Sequence, residues 1–83
     1  MFYVYLLKSL KDNNYYIGQT DNIKNRLDYH NDGKVKSTKN RIPFILIGTE
    51  EYPTRNESRW REYTLKNNAN ERRKFINKFS PKP

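Results

Sequence analysis

Two tyrosine-rich segments near the start of the chain, Tyr3-Val4-Tyr5 and Tyr16-Ile17-Gly18, are separated by the polar stretch Lys11-Asp12-Asn13-Asn14. Aromatic and branched side chains from Phe2 to Lys8, and again from Tyr15 to Gly18, favour extended backbone, and the Asn- and Asp-rich break between them is a turn signal. So short a connection makes the pair an antiparallel hairpin. Across such a hairpin Tyr5 and Tyr16 can face each other. Gly18 closes the second strand without a side chain, which permits close approach of backbone or ligand or serves a simple bend.

After the hairpin, Asp21 is a good N-cap for a helix running to about His30, with Ile23 and Leu27 one turn apart on its buried side. Asn31-Asp32-Gly33 ends it. The segment from Lys34 to Arg41 is polar and basic and reads as an exposed loop. Phe44-Ile45-Leu46-Ile47 is a continuous apolar run, whose lack of alternation predicts a strand covered on both faces, hence the central one, with helices on both sides of the sheet. Thr54 and Glu57 stand at capping-box spacing and start a second helix, which passes Trp60, Glu62 and Leu65 and ends near Asn67 and Asn68. A last helix opens at Asn70 and is anchored by Phe75, Ile76 and Phe79, before Ser80-Pro81-Lys82-Pro83 frays. The expectation is an α+β fold, β-β-α-β-α-α, forming a single domain over residues 1–79 with a tail at 80–83. There is no internal repeat.

Eighty-three residues lie near the size at which one core only just outweighs chain entropy, so no second domain is expected. With no cysteine, neither disulfides nor a thiolate metal site can hold the chain together. The lack of a secretory signal pattern and of a membrane-length apolar run gives an expectation of a soluble, cytoplasmic monomer. Seventeen Lys and Arg against nine Asp and Glu leave a net charge of +8, which points to a polyanionic partner, with nucleic acid first. Surface charge that only aids solubility, or a membrane-surface role, are the alternatives. Interspersed acids and the absence of a broad apolar helix face fit the latter poorly.

The only histidine, His30, follows Arg26 by four positions, so both project from one helix face. Tyrosine hydroxyls, a fixed positive charge and an imidazole suit phosphodiester chemistry. These motifs, in this order and spacing, resemble the GIY-YIG nuclease family, and within it the small stand-alone members. Tyr3-Val4-Tyr5 stands where the first motif would be and Tyr16-Ile17-Gly18 reproduces the second. Arg26 and His30 fall on the following helix, and Arg61-Glu62-Tyr63 places Glu62 where the family carries its metal-binding glutamate. Gly33-Lys34-Val35-Lys36-Ser37-Thr38-Lys39, with Pro43-Phe44 after it, also looks like the stand-alone subgroup. Departures are Tyr3 in place of glycine, Gln19 where some relatives place lysine, and Asn67 or Asn68 near a late asparagine.

The resemblance implies a three-stranded antiparallel sheet flanked by helices and five catalytic positions. Glu62 would bind one Mg²⁺ or Mn²⁺, unless it merely pairs with Lys66 one turn along. Arg26 would grip the scissile phosphate through two parallel hydrogen bonds, the alternative being a solvated arginine. Tyr5 would deprotonate or orient the attacking water and Tyr16 would position it or contact the phosphate. His30 would share the proton transfer or hydrogen-bond a tyrosine hydroxyl. Tyr3, Tyr15, Tyr29, Tyr52 and Tyr63 read as structural. Lys34, Lys36, Lys39 and Arg41 would contact the nucleic-acid backbone. The function expected is a metal-dependent DNA endonuclease, structure-selective or directed by a protein partner, with a repair or recombination role within reach. The alternatives are a catalytically weak or inactive nucleic-acid-binding module of the same fold, and a basic structural or ribosome-associated protein.

Overall fold

The hairpin is shaped by its polar turn. The Ser9 amide donates to the Asn14 carbonyl at 2.9 Å, the Ser9 hydroxyl accepts the amides of Lys11 and Asp12, and the Asp12 carboxylate accepts that of Asn14. Asn13 adopts φ 61°, a left-handed conformation that asparagine tolerates better than most residues. In this computed structural model residues 1–80 are described, and the expected frayed end at 81–83 lies outside them. The elements are β1 (Phe2–Ser9), β2 (Tyr15–Thr20), α1 (Ile23–Asn31), β3 (Phe44–Tyr52), α2 (Arg55–Asn67) and α3 (Ala69–Phe79), with a 3-10 turn at Lys39–Arg41. Both strand pairings are antiparallel and the strand order is β2-β1-β3. Among the described residues no helix is long and apolar enough to cross a membrane.

That order overturns the expectation for the run Phe44–Ile47. The central strand is β1, and β3 lies at an edge. Four consecutive β1 residues, Val4 to Leu7, are buried, whereas Ile45 and Leu46 of β3 are 41% and 40% exposed. An unbroken apolar run signals two-sided burial only when both flanks are paired. Here Tyr5 hides the signal in β1, because a phenol counts as half-polar until its hydroxyl is seen to be hydrogen-bonded. A bulge between Leu6 and Leu7 adds an extra residue to β3 and shifts its register.

Alternation along β1 divides the interior in two. Val4 and Leu6, with Ile17 of β2, meet Leu65 of α2 and Phe75 of α3 on one face. Tyr5 and Leu7, with Phe44 and Tyr16, meet Ile23 and Leu27 of α1 on the other. On the first face Glu50 of β3 is held by Arg61 at 3.0 Å and Lys78 at 3.1 Å, tying both C-terminal helices to the sheet edge. Burial alone would raise the Glu50 pKa, but hydrogen bonds from Tyr52, Arg61 and Lys78 outweigh it and leave the carboxyl below its ordinary value.

Three helix and loop expectations need correction. Asn22, not Asp21, caps α1, its side chain accepting the Asn25 amide at 3.0 Å. Asn68, not Asn70, caps α3 through the Glu71 amide at 3.1 Å, so one extended residue both ends α2 and begins α3. Thr54 caps α2 as expected, accepting from the Glu57 amide and donating to its carboxylate. The segment 34–41 is not uniformly exposed, for Thr38 is fully buried.

Gly18 of β2 lies opposite Tyr5 of β1, and a Cβ there would collide with the Tyr5 ring and hydroxyl. Gly18→Ala should therefore cost about 1–3 kcal/mol in urea unfolding, by forcing the tyrosine out of its place. An unchanged unfolding midpoint would show that the ring is free to move.

Candidate active site

One hydrogen-bonded chain organises the α1 face of the sheet. His30, fully buried near the end of α1, places Nε2 2.9 Å from the Tyr5 hydroxyl and Nδ1 2.8 Å from the Thr38 hydroxyl. The Thr38 hydroxyl in turn reaches the Val35 carbonyl at 3.4 Å. Burial pushes the Tyr5 pKa up to about 12, so the phenol keeps its proton at neutral pH. Because the Thr38 hydroxyl donates to the Val35 carbonyl, it accepts from His30 Nδ1, and the Nε2 lone pair is left to accept the Tyr5 phenolic proton. His30 then carries its proton on Nδ1 and donates to Thr38, which donates to Val35. Burial and, second, the charge of Arg26 lower the His30 pKa to about 4, so this imidazole is neutral at pH 7.

Arg26 stands one turn before His30 on the same face. The Tyr5 hydroxyl beside it is the main reason that its pKa lies above the ordinary arginine value. Its guanidinium also lies 5.3 Å from the Tyr29 ring centroid, and its Nε is buried without a hydrogen-bond partner. Thr20, Asp21, Asn22, Asn25, Arg26 and Tyr29 line an adjoining hollow of about 240 Å³, and the Asp21 carboxylate there is paired with Arg55 at 3.5 Å. An unpartnered buried N–H is costly, and an anion seated there would satisfy it.

Tyr16 closes the cluster across the hairpin. Its ring meets His30 edge-on with centroids 5.1 Å apart, and lies 6.5 Å from that of Tyr5. From α2, on the other side of the β2 edge, Lys66 Nζ sits 5.1 Å from the Tyr16 ring centroid and pairs with Glu62 at 3.1 Å. Glu62 is close enough that its charge helps to hold the Tyr5 pKa up. Tyr5, Tyr16 and His30 thus form one cluster with Arg26 beside it on the α1 face, and Glu62, on α2, acts on Tyr5 through its charge and is linked to Tyr16 through Lys66.

The family model for the GIY-YIG catalytic domain matches residues 1–77. The chain belongs to the GIY-YIG family. It is 43% identical over 65 residues to a UPF0213 protein of Staphylococcus haemolyticus, covering 77% of this chain and 78% of that one. A UPF0213 protein of Nitratidesulfovibrio vulgaris is 39% identical over 67 residues, and the match spans only 60% of its length. The solution structure of a UPF0213 protein from Bacillus halodurans is similar with a TM-score of 0.57 at 33% identity, covering 98% of this chain and 89% of that one. The GIY-YIG domain is a nuclease-type catalytic domain, and its three-stranded sheet with flanking helices is the architecture observed here.

Within this GIY-YIG domain some expected roles meet a different geometry. Arg41 is held by Asp12 at 2.6 Å and lies 5.5 Å from the Phe44 ring centroid, so much of its bonding capacity serves the hairpin turn. Lys34, Lys36 and Lys39 are exposed. Gln19 lies opposite Val4, and its amide oxygen is 3.4 Å from the Ser58 hydroxyl, so that side chain serves the α2 face. Tyr63, read as structural, is 59% exposed. Two residues that sequence reasoning missed are Thr38, which fixes the His30 tautomer, and Asn31, whose side chain bonds both the amide and the carbonyl of Phe44, at 2.7 and 3.0 Å, and so seats α1 on β3. Their spacing carried no signal, because each acts on a partner distant in sequence.

Among the described residues no three His, Cys, Asp or Glu side chains cluster as a metal cage. Both His30 nitrogens are already hydrogen-bonded, which leaves Glu62 as the available carboxylate. A hard cation that keeps several waters and takes one carboxylate with substrate oxygens fits that donor set, provided Lys66 releases Glu62.

His30 gives the domain a specific acid sensitivity. An unfolded chain protonates its histidine near pH 6.5, whereas the folded imidazole resists until about pH 4. Stability from this group is therefore complete above pH 6.5 and is lost as pH falls from 6.5 through 4, by about 3 kcal/mol in total. Urea midpoints at pH 7 and 4.5 should fall less for His30→Gln than for the natural protein. Equal falls in both would show that His30 titrates normally in the fold.

Proposed function

We propose that this GIY-YIG domain is a metal-dependent endonuclease that hydrolyses a DNA phosphodiester bond. The observation that supports it best is the Tyr5 hydroxyl bonded to a neutral imidazole acceptor, with the Arg26 guanidinium and its unpartnered N–H beside it and the charge of the Glu62 carboxylate felt there. Arg26 takes the scissile phosphate, its Nε finding there the acceptor that the protein does not provide. Tyr5 orients the attacking water. As that water loses its proton to the Tyr5 oxygen, Tyr5 passes its own to His30 Nε2. The charge of Arg26 opposes protonation of His30, and a phosphate paired with Arg26 offsets that charge, so substrate binding makes the imidazole a better proton acceptor. Tyr16 packs against His30 and limits where the water can sit.

Glu62 would hold one Mg²⁺ or Mn²⁺, which supplies charge neutralisation at the departing oxygen when bound. One carboxylate suits a single ion better than a bridged pair. Lys66, freed from Glu62, remains beside Tyr16 as a further phosphate contact. Lys34, Lys36 and Lys39 add exposed charge for the backbone of the duplex, setting affinity without reading sequence. The enzyme selects DNA by its shape or is delivered by a partner, in a repair or recombination setting.

The competing reading is a binding module without cleavage, and the Glu62–Lys66 pair is the feature that favours it. Nicking of supercoiled plasmid and branched DNA in Mg²⁺ or Mn²⁺ separates the two. Glu62→Ala and Arg26→Ala should each lower the rate by roughly 10²–10³-fold with folding intact, and chelator should abolish cleavage while leaving DNA binding. Nicking by Glu62→Ala at the natural rate would remove the proposed site.

A further inference from the structure

The solvent side of α2 carries two large aromatic residues that the core does not use. Trp60 is 69% exposed and Tyr63 is 59% exposed, and their rings stack with centroids 5.7 Å apart and planes 19° from parallel. With Asn56 and Arg59 they line a hollow of about 500 Å³. At roughly 100° per residue, Glu62, Lys66, Arg59, Tyr63 and Trp60 succeed one another around the helix within about 160° of arc. The way from the Glu62 carboxylate to the aromatic pair is therefore flanked by two cations, Lys66 on the Glu62 side and Arg59 in the hollow itself.

That sequence of groups matches the chemistry of a single nucleic-acid strand, in which phosphates meet the cations and a base face meets the rings. A second copy of this chain fits less well, because each molecule carries a net charge of +8 and would bring it to a surface already lined by Arg59. We propose that Trp60 and Tyr63, with Arg59, form a stacking platform for an unpaired base of the strand whose phosphate lies at Arg26 and Glu62. The proposal rests on the nuclease reading and refines its substrate class to DNA with unpaired nucleotides beside the cleavage point, such as a flap, gap or branch. In continuous duplex the bases stack on one another and present no free face.

Trp60 is the only tryptophan, so its fluorescence reports stacking directly. The protein is titrated in chelator, to prevent cutting, with oligo-dT, a flap duplex and a blunt duplex of equal length. Oligo-dT and the flap should quench Trp60 while the blunt duplex leaves its emission nearly unchanged. Tyr63→Ala and Trp60→Ala should weaken flap binding, read by anisotropy of a labelled flap, roughly 5- to 150-fold, and Trp60→Phe should largely retain it. Flap affinity unchanged in both alanine variants, with no quench in the natural protein, would overturn the platform. So would a sedimentation dimer that Trp60→Ala dissociates, which assigns this face to a second copy. Glu62→Ala should keep the quench and lose cleavage. A quench without cleavage in the natural protein would remove the nuclease reading alone, and cleavage without a quench would remove the platform alone.

Discussion

The hydrogen bond between the Tyr5 hydroxyl and His30 Nε2 joins the central strand to α1, and much of the α1 side of the domain is arranged around it. Both groups are buried, so leaving either without its partner would cost about 1–3 kcal/mol. The bond fixes the Tyr5 ring over Gly18, which is why the second strand needs a residue without a side chain there. It also leaves Nδ1 to donate to Thr38, which pins the basic segment between α1 and β3 against the sheet. Asn31 completes the attachment by bonding both backbone groups of Phe44.

The two faces of the sheet divide the work. The face toward α2 and α3 is apolar packing closed by the Glu50 ion pairs, and it supplies stability. The α1 face mixes Leu7 and Phe44 with phenols and an imidazole, a less favourable way to fill a core unless every polar atom is satisfied. Among the described residues the exception is Arg26 Nε, which is buried without a hydrogen-bond partner.

The hairpin and the element order were legible in the sequence, because turn chemistry and strand propensity are local. The Thr54 cap was legible for the same reason. The central strand was misread, since Tyr5 breaks the apolar run of β1 while the exposed Ile45 and Leu46 extend that of β3. Motif order singled out Tyr5, Tyr16, Arg26, His30 and Glu62, which stand on four elements, β1, β2, α1 and α2. The burial of Thr38, by contrast, depends on His30 supplying a distant partner, and no local pattern announces that. Arg41 looked like a free cation until the turn brought Asp12 beside it.

The direction of the hydrogen-bonded chain is the central claim, because it decides that His30 can accept the proton of Tyr5. It is read most directly from the ¹⁵N shifts of the His30 ring across a pH titration. An imidazole bare at Nε2 and protonated at Nδ1 at pH 7, charging only near pH 4, is the result expected. A proton found on Nε2 at pH 7, or titration near 6.5, would contradict both the buried relay and the role of Tyr5 that depends on it.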